Sequence, residues 1–174
     1  MGYPDSSTFS QQVIDIKLFG SPLKLEEDNT ILLGKEQYVA ILPSNHPLAN
    51  EEHFKLAMLR DEQFILTNPS DLRNTVTEMC HEAGFEPNIV AETQLYSEAL
   101  SLVESGIGCT IGTTFTWLGH HHFNIAVKVC EDVQRYRYLY ANLNSDIETT
   151  DATKTFIDFL KSYSKEITQS YENA

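Results

Sequence analysis

Residues 63–112 constrain the fold of this chain more than any other stretch, because short apolar runs alternate there with amphipathic segments. The apolar runs at 63–67, 88–92 and 107–111 are predicted to be strands. The segments between them repeat apolar residues at three- and four-residue steps, which predicts two helices. Strands that alternate with helices in such short units are typical of parallel βαβ geometry in an α/β fold.

Turn and cap residues stand at the joints of this stretch. Pro69 cannot continue a sheet ladder, so it ends the first strand. Ser70 and Ser97 are predicted N-caps of the two helices, and Gly84 and Gly106 are predicted to end them. Each boundary in the stretch therefore has a local chemical signal.

The carboxyl ends of the predicted strands are the expected place for a ligand, because parallel βαβ units bind ligands there, beside helix N-termini. These ends are residues 67–70, 93–97 and 112–114, which are rich in hydroxyl and amide groups and poor in charge. Such a composition suits a small polar or anionic molecule held by hydroxyl and backbone N–H groups. The alternative, that these residues only cap helices and turn the chain, stays open.

Charge and length exclude several classes of protein. The formal net charge of −13 argues against a nucleic-acid surface, because phosphate contacts need clustered Lys and Arg. No apolar run approaches the ~20 residues that cross a bilayer, and the first residues lack the pattern of a secretion signal. We therefore expect a cytoplasmic protein without a membrane partner, whose 174 residues form one domain or two small lobes.

Cysteine and histidine give no sign of a metal site or another cofactor. Cys80, Cys109 and Cys130 are widely spaced and odd in number, which predicts buried free thiols. The run 120–122 contains three consecutive histidines, whose side chains would point in different directions. This run predicts a solvated loop rather than a metal site.

The rest of the chain is predicted to add strands and two helices. Strands are expected at 13–19, 31–33, 37–42, 124–129 and 135–142, with residues 20–22 breaking the first of them. A short helix is expected near 54–59, a further helical turn at 113–118, and a last helix from 149–151 until it frays after 169. Phe156, Phe159, Leu160, Tyr163 and Ile167 are predicted to form the buried face of that last helix.

Five segments of the sequence, taken in order, match sequence motifs of one known family. They are VAILPSNHPLA (39–49), LRDEQFILTN (59–68), LRNTVTEMCHEAGFEPNIVAET (72–93), EALSLVESGIGCTIG (98–112) and TKTFIDFLKSY (153–163). They resemble the effector-binding domain of LysR-type transcriptional regulators. The run IDIKLFGSP (14–22) resembles the strand that precedes these segments in the family.

The resemblance implies a periplasmic-binding-protein-like (type 2) α/β fold of two lobes with mixed, mainly parallel sheets. Residues 44–128 would form regulatory subdomain II, and residues 1–43 with 129–174 would form a partial regulatory subdomain I. The family's N-terminal helix-turn-helix, its linker helix and the opening βαβ of its first lobe are not recognised here. The first lobe is therefore expected to be incomplete, and DNA binding is expected only through the absent helix-turn-helix.

The resemblance also implies a small-molecule effector, of unknown identity, held between the lobes. Carried over residue by residue, the contacts from the second lobe would be Thr67, Asn68, Pro69, Gln94, Leu95, Tyr96 and Thr113, and those from the first lobe Gly20 and Ser21. Arg73 is the nearby cation that would meet a carboxylate, although an outward salt bridge is the favoured role. Effector binding would reorient the lobes and so shift an oligomer, for which a homodimer is one form, without bond chemistry.

Two other functions stay open. A stand-alone binding or dimerisation fragment without DNA binding would use the same fold. A small hydrolase would need a nucleophile beside a base, but His46, His81 and the 120–122 run have no Ser or Cys partner in a recognisable setting. The sequence also has no Gly-rich phosphate loop, so we expect no enzyme.

Overall fold

The computed structural model describes residues 16–26, 28–67, 70–114, 116, 123–144 and 150–172, with the side chains of 70, 71 and 166–172 left aside. The strands are β1 (Ile16–Ser21), β2 (Thr30–Pro43), β3 (Gln63–Thr67), β4 (Asn88–Thr93), β5 (Thr110–Thr113), β6 (Ile125–Lys128) and β7 (Tyr136–Leu143). The helices are α1 (Ser70–Glu82), α2 (Tyr96–Glu104) and α3 (Asp151–Glu172), with a 3-10 helix at Leu56–Leu59. This order confirms the alternation predicted for residues 63–112.

Internal contacts divide the chain into two compact units. The central unit is Gln37–Arg135, and the terminal unit combines the residues up to Glu36 with those from Tyr136 onward. Both boundaries lie seven residues from the expected breaks after 43 and 128. The physical reason is that β2 already pairs with β5 at Tyr38, so the second part of β2 belongs to the central unit. The assignment of the units to regulatory subdomains remains a prediction.

The central unit contains parallel and antiparallel pairs. β3 and β4 are parallel from Gln63 opposite Asn88 to Thr67 opposite Thr93, and Phe64 forms a parallel bridge with Cys109 just before β5. β2 lies between β5 and β6 and is antiparallel to both. The mixed sheets are as expected. The expectation of mainly parallel pairing holds only for the 63–112 stretch, because β2 enters from the other unit against the direction of its neighbours.

The two helices of the central unit cover opposite faces of its strands. Successive strand side chains point to opposite faces, so Phe64 and Leu66 join one apolar cluster while Ile65 joins the other. α1 supplies the first cluster with Val76, Met79 and Cys80, and α2 supplies the second with Ala99, Leu100 and Val103, all of them buried. The βα units therefore bury both faces of β3, which explains its nearly continuous apolar sequence.

Both helices of the central unit end at the predicted glycines. Gly84 and Gly106 have φ angles of 85° and 77°, a region that side chains disfavour. The N–H of Phe85 donates to the carbonyl of Cys80 (3.0 Å), and that of Ile107 to the carbonyl of Leu102 (3.1 Å). These six-to-one bonds complete a Schellman motif at each helix end. The two predicted helix stops are thus confirmed.

The start of α2 differs from the prediction. Its N-cap is Leu95 rather than Ser97. The carboxylate of Glu98 accepts hydrogen bonds from the N–H groups of Gln94 (3.2 Å) and Leu95 (3.3 Å). Because Glu98 supplies the acceptor from inside the helix, the N-cap needs no polar side chain of its own. The side chain of Ser70, the other predicted N-cap, lies outside the description.

Several strand boundaries also differ. Gly20 and Ser21 do not break β1, because they pair with Leu139 and Tyr138 of β7. β2 runs without interruption through Gly34, since neighbouring strands complete its ladder along its length. β5 covers Thr110–Thr113 instead of 107–111, and the helix expected near 54–59 is a single 3-10 turn. The strands β6 and β7 confirm the prediction within two residues.

The terminal unit packs β1 and β2 on either side of β7. Phe19 stacks on the buried Tyr140 with ring centroids 5.6 Å apart, and the hydroxyl of Tyr140 accepts a bond from the N–H of Leu25 (2.8 Å). Arg137 Nε donates to Glu36 Oε1 (2.6 Å), and the Glu36 side chain is buried. A charged pair with a buried carboxylate therefore belongs to this unit.

Helix α3 begins as predicted but presents a different face. The hydroxyl of Thr150 accepts a hydrogen bond from the N–H of Thr153 (3.1 Å), as an N-cap does, and the helix continues to Glu172. Its buried residues include Ile157 and Leu160, whereas the predicted core residues Phe156, Phe159 and Tyr163 are exposed and stack on one another. The prediction was wrong for these aromatics because their stripe lies one position away from the buried stripe. The expected loop at 120–122 and most of the turn at 113–118 lie outside the described residues.

Candidate functional site

Three threonines end neighbouring strands of the central unit. Thr67 closes β3, Thr93 closes β4 and Thr113 closes β5, and all three are buried. β3 and β4 are parallel, and the bridge between Phe64 and Cys109 brings the chain into β5 in the same direction. The three carboxyl ends therefore meet at one edge of the unit, the position at which α/β sheets bind ligands. We call Thr67, Thr93 and Thr113 the threonine edge.

The first two hydroxyls of the threonine edge form a directed chain. Thr93 Oγ1 donates to the carbonyl of Leu95 (3.1 Å), so it has no proton left for Thr67. Thr67 Oγ1, 3.2 Å from Thr93 Oγ1, must then be the donor of that second bond. Its lone pairs remain available to accept a hydrogen bond. Thr67 can thus accept a hydrogen bond from a hydroxyl or amine of a bound molecule.

Thr113 carries an unsatisfied hydroxyl. Its side chain is fully buried, and Oγ1 has no hydrogen-bond partner within the part of the chain that the structure describes. The nearby Thr110, equally buried, instead donates to the carbonyl of Ile65 at 2.6 Å. A buried hydroxyl without a partner loses its hydration and gains nothing in return, at a cost of about 1–3 kcal/mol. A polar group supplied by a ligand would remove this cost.

The N-terminus of α2 adds one negative charge to this edge. Gln94 and Leu95 are exposed, but their N–H groups are already bonded to the carboxylate of Glu98. Tyr96 is half-buried and packs against the cluster formed by α2. An anionic group at this helix end would face the like charge of Glu98. Sequence reasoning missed Glu98 because Ser97 was assigned as the N-cap, although a glutamate three residues after Leu95 is the signal for such a role.

The described residues include only some of the other residues predicted to contact a ligand from the central unit. Arg73 forms an ion pair with Glu92, and both side chains are exposed. This arrangement confirms the favoured outward salt bridge. Asn68 and Pro69 lie outside the described residues, so their contact with a ligand stays a prediction. Thr93 belongs to the predicted strand end 93–97 but was not among the predicted ligand contacts. Its hydrogen bond with Thr67 adds it to the candidate site.

Gly20 and Ser21 have structural roles within the terminal unit. A Cβ atom on Gly20 would lie 2.8 Å from Arg137 Nε, so the glycine makes room for the side chain that pairs with Glu36. Ser21 is buried, and its hydroxyl accepts a hydrogen bond from the N–H of Leu23 (3.1 Å). These contacts account for both residues locally. Their contact with an effector remains a prediction.

The cysteines are buried and free, as predicted. Burial raises the pKa of the Cys80 and Cys130 thiols to about 12 and raises the pKa of Cys109 as well. The thiols therefore stay protonated at neutral pH, whereas a nucleophilic cysteine needs a lowered pKa. The described residues contain no cluster of three or more His, Cys, Asp or Glu that could hold a metal ion.

The two described histidines that were considered as bases, His46 and His81, are paired with glutamates. His46 Nε2 lies 3.3 Å from Glu62, and His46 Nδ1 accepts the N–H of Leu48 (3.1 Å). His81 forms an exposed pair with Glu86. Neither pair includes a Ser or Cys hydroxyl or thiol.

Among the described helices, none combines the length and the apolar content needed to span a membrane.

Comparison with known proteins identifies the same family by sequence and the same fold by structure. The family described as "LysR substrate binding domain" matches residues 10–165. The HTH-type transcriptional regulator ShiR of Corynebacterium glutamicum is 36% identical over 108 residues, which are 60% of this chain and 37% of that protein. The chain thus spans about a third of the length of the curated relatives that it matches.

Two solved domains share the fold. The effector-binding domain of QuiR in complex with shikimate has a TM-score of 0.64 and 25% identity, covering 86% of this chain and 72% of that one. The BenM effector-binding domain with its effector benzoate has a TM-score of 0.62 and 24% identity, covering 92% and 71%. These matches confirm the predicted periplasmic-binding-protein-like fold. With nine-tenths of its length matched by the family, the chain belongs to the LysR substrate-binding domains.

Proposed function

We propose that this chain is the ligand-sensing domain of a LysR-type transcriptional regulator and that its effector binds at the threonine edge. The observation that carries the proposal is the fully buried hydroxyl of Thr113, which has no partner among the described residues and lies at the edge of the sheet where family folds bind ligands. The acceptor lone pairs of Thr67 at the same edge add a second hydrogen-bonding position.

The chemistry of this edge favours a small molecule with several hydroxyl groups. Thr67 can accept a hydrogen bond and Thr113 can donate or accept one, whereas the Glu98 carboxylate at the start of α2 disfavours a second negative charge there. Shikimate, the ligand of the similar QuiR domain, carries hydroxyl groups together with a single carboxylate. A polyhydroxylated acid whose hydroxyl groups face the threonine edge is the class that fits both observations.

The mechanism requires binding without bond chemistry. A ligand that binds one conformation more tightly shifts the population towards it, and a coupling of about 1–3 kcal/mol suffices for regulation. The protonated thiols and the glutamate-paired histidines agree with a domain that does not catalyse a reaction. In the complete regulator we propose a cytoplasmic homo-oligomer whose helix-turn-helix region contacts DNA.

A thermal-shift titration with shikimate and related hydroxylated acids tests the site. A ligand that binds only the folded state stabilises it by RT ln(1 + [L]/Kd), about 2.7 kcal/mol at a hundredfold excess over Kd. Thr113→Val should leave the melting temperature of the ligand-free chain unchanged or raise it, because the unpaired hydroxyl is removed from the core. The same variant should lose most of the ligand-induced shift, and Thr67→Val should weaken it.

Thr155→Val is the matched control, because Thr155 is an exposed threonine of α3 outside the threonine edge. It should keep the full shift. A shift that survives unchanged in both Thr113→Val and Thr67→Val would place the effector elsewhere. A lower melting temperature of ligand-free Thr113→Val would mean that the hydroxyl is already satisfied in the absence of ligand.

A further inference from the structure

The terminal unit contains a cavity of about 680 Å³ between strand β2 and helix α3. Its walls include four lysines, Lys24, Lys35, Lys161 and Lys165. The sequence has eight lysines, so half of them converge on this one cavity in a chain whose net charge is −13. A chance distribution of basic residues on an acidic protein would mix them with carboxylates. This cavity concentrates positive charge, and we call it the lysine cavity.

The described residues supply no negative charge that pairs with the lysines of the cavity. No described acidic side chain lies within ion-pair distance of any of the four ammonium groups, whereas Lys154 on the same helix α3 is paired with Asp151 at 3.2 Å. Lys35 Nζ instead lies over the ring of Tyr136, 3.7 Å from its centroid. Like charges that share one cavity repel each other. An anion bound between them would attract each of the ammonium groups and offset this repulsion.

Gly34 also lines the lysine cavity. It lies within β2, where a glycine weakens a strand unless a close approach requires it. A Cβ atom at this position would meet no other atom within 4 Å. A side chain there would project into open space.

The other wall residues are mainly apolar, with Ser164 as a polar exception. Leu32, Leu33 and Tyr138 line the cavity beside Gly34 and the lysines. A cavity of a few hundred Å³ with apolar walls and a small number of charged groups has the dimensions and the composition of a small-molecule site. The ligand must therefore combine an apolar or flat body with more than one negative charge.

We propose that the lysine cavity is a second ligand site of this protein and that it binds a phosphorylated small molecule with a flat or apolar body, in the size range of a nucleotide. Lysine is a compact point charge that suits phosphate, while planar carboxylates are matched best by the guanidinium fork of arginine, which this cavity lacks. The site lies in the terminal unit, apart from the residues of the threonine edge, and does not depend on the proposed effector function.

Calorimetric titration of the whole chain, without divalent metal ions, tests this inference with three probes. Adenosine triphosphate should bind, inorganic pyrophosphate should bind more weakly because it lacks a body for the apolar walls, and adenosine should not bind measurably. Binding of the triphosphate should weaken as salt is raised to about 150 mM, where charges are screened beyond ~8 Å. Equal affinity for adenosine and the triphosphate, or no binding of the triphosphate, would overturn the proposal.

Variants then locate the site. Lys161→Gln and Lys165→Gln should each weaken triphosphate binding about two- to fivefold, the range for one exposed ion pair. Lys154→Gln, on the same helix but outside the cavity, is the matched control and should bind as the wild type does. If the control loses as much affinity as the two cavity variants, the binding is non-specific attraction to α3.

Discussion

Replacing Arg137 with methionine should destabilise the protein by about 3–5 kcal/mol, the usual cost of removing one partner of a buried ion pair. Arg137 Nε lies 2.6 Å from Glu36 Oε1, and the Glu36 side chain is only 1% exposed against 21% for Arg137. The glutamate therefore cannot exchange the guanidinium for bulk water when the arginine is removed. Since a domain is typically stable by about 5–15 kcal/mol, this loss would be a large share of the total.

A double variant distinguishes the attraction between Glu36 and Arg137 from the cost of leaving one buried charge without its partner. Glu36→Met combined with Arg137→Met removes both charges and leaves side chains of similar length, so it should be more stable than Arg137→Met alone. Urea unfolding followed by far-UV circular dichroism gives the four free energies of unfolding, and their cycle gives the coupling energy. We expect a coupling of about 2 kcal/mol or more.

Arg135→Met is the matched control for this experiment. Arg135 bonds to Glu78 (2.9 Å) and Glu82 (3.0 Å), but these side chains are 62% and 53% exposed. Water replaces such a partner, so the control should lose at most about 1 kcal/mol despite its two ion pairs. If Arg137→Met costs no more than Arg135→Met, or if the two substitutions of the cycle are additive, burial does not set the strength of the Glu36 pair.

Three more substitutions and conditions test other parts of the structure. Gly108→Ala should lower the urea midpoint by an amount equivalent to about 1–3 kcal/mol. A Cβ atom at this position would overlap the backbone carbonyl of Gln63, and this carbonyl cannot move without breaking the contact between β3 and β5. Asp132→Ala should cost about 1–2 kcal/mol in the same assay, since its carboxylate accepts the N–H groups that begin the 3-10 helix at 2.8 and 3.1 Å, whereas Asp132→Asn should retain part of that stability. Raising the pH from about 9 towards 12 should lower stability, because unfolded thiols ionise at their ordinary pKa of 9.0 while folded Cys80 and Cys130 ionise only near 12. The stabilisation that comes from the raised thiol pKa values is fully present below pH 9. A Cys80→Ala variant whose free energy of unfolding falls with the same slope between pH 9 and 12 would contradict this explanation.

Local chemistry carried much of the fold prediction. The periodicity of residues 63–112 identified β3 and α1 because a strand buried on both faces and an amphipathic helix have different apolar repeats. The apolar run of β4 was also recognised, although most residues of that strand are exposed. Gly84 and Gly106 were recognisable as helix ends because only glycine adopts their positive φ at no cost. The threonines of the candidate site were also visible in the sequence, since the residues after such strands lie at the ligand edge of an α/β unit.

Contacts between distant residues explain what the sequence could not show. Gly34 suggested an interruption of β2, but partner strands far along the chain complete the ladder around it. Ser97 had the side chain of an N-cap, yet Glu98 reaches back to the preceding N–H groups and moves the start of α2 to Leu95. The sequence of α3 contains an aromatic stripe next to an aliphatic one, and only packing decides which of the two is buried.

The sequence by itself determined the α/β character, the family and the hydroxyl-rich strand ends, because these depend on periodicity, local caps and ordered motifs that each lie within a short window. Only the tertiary structure decided which hydroxyls are satisfied, where a carboxylate such as Glu36 is buried, and that four lysines from three separate parts of the chain line one cavity. The physical reason is that hydrogen-bond satisfaction, burial and charge clustering depend on distances between residues far apart in the chain, which no local pattern encodes.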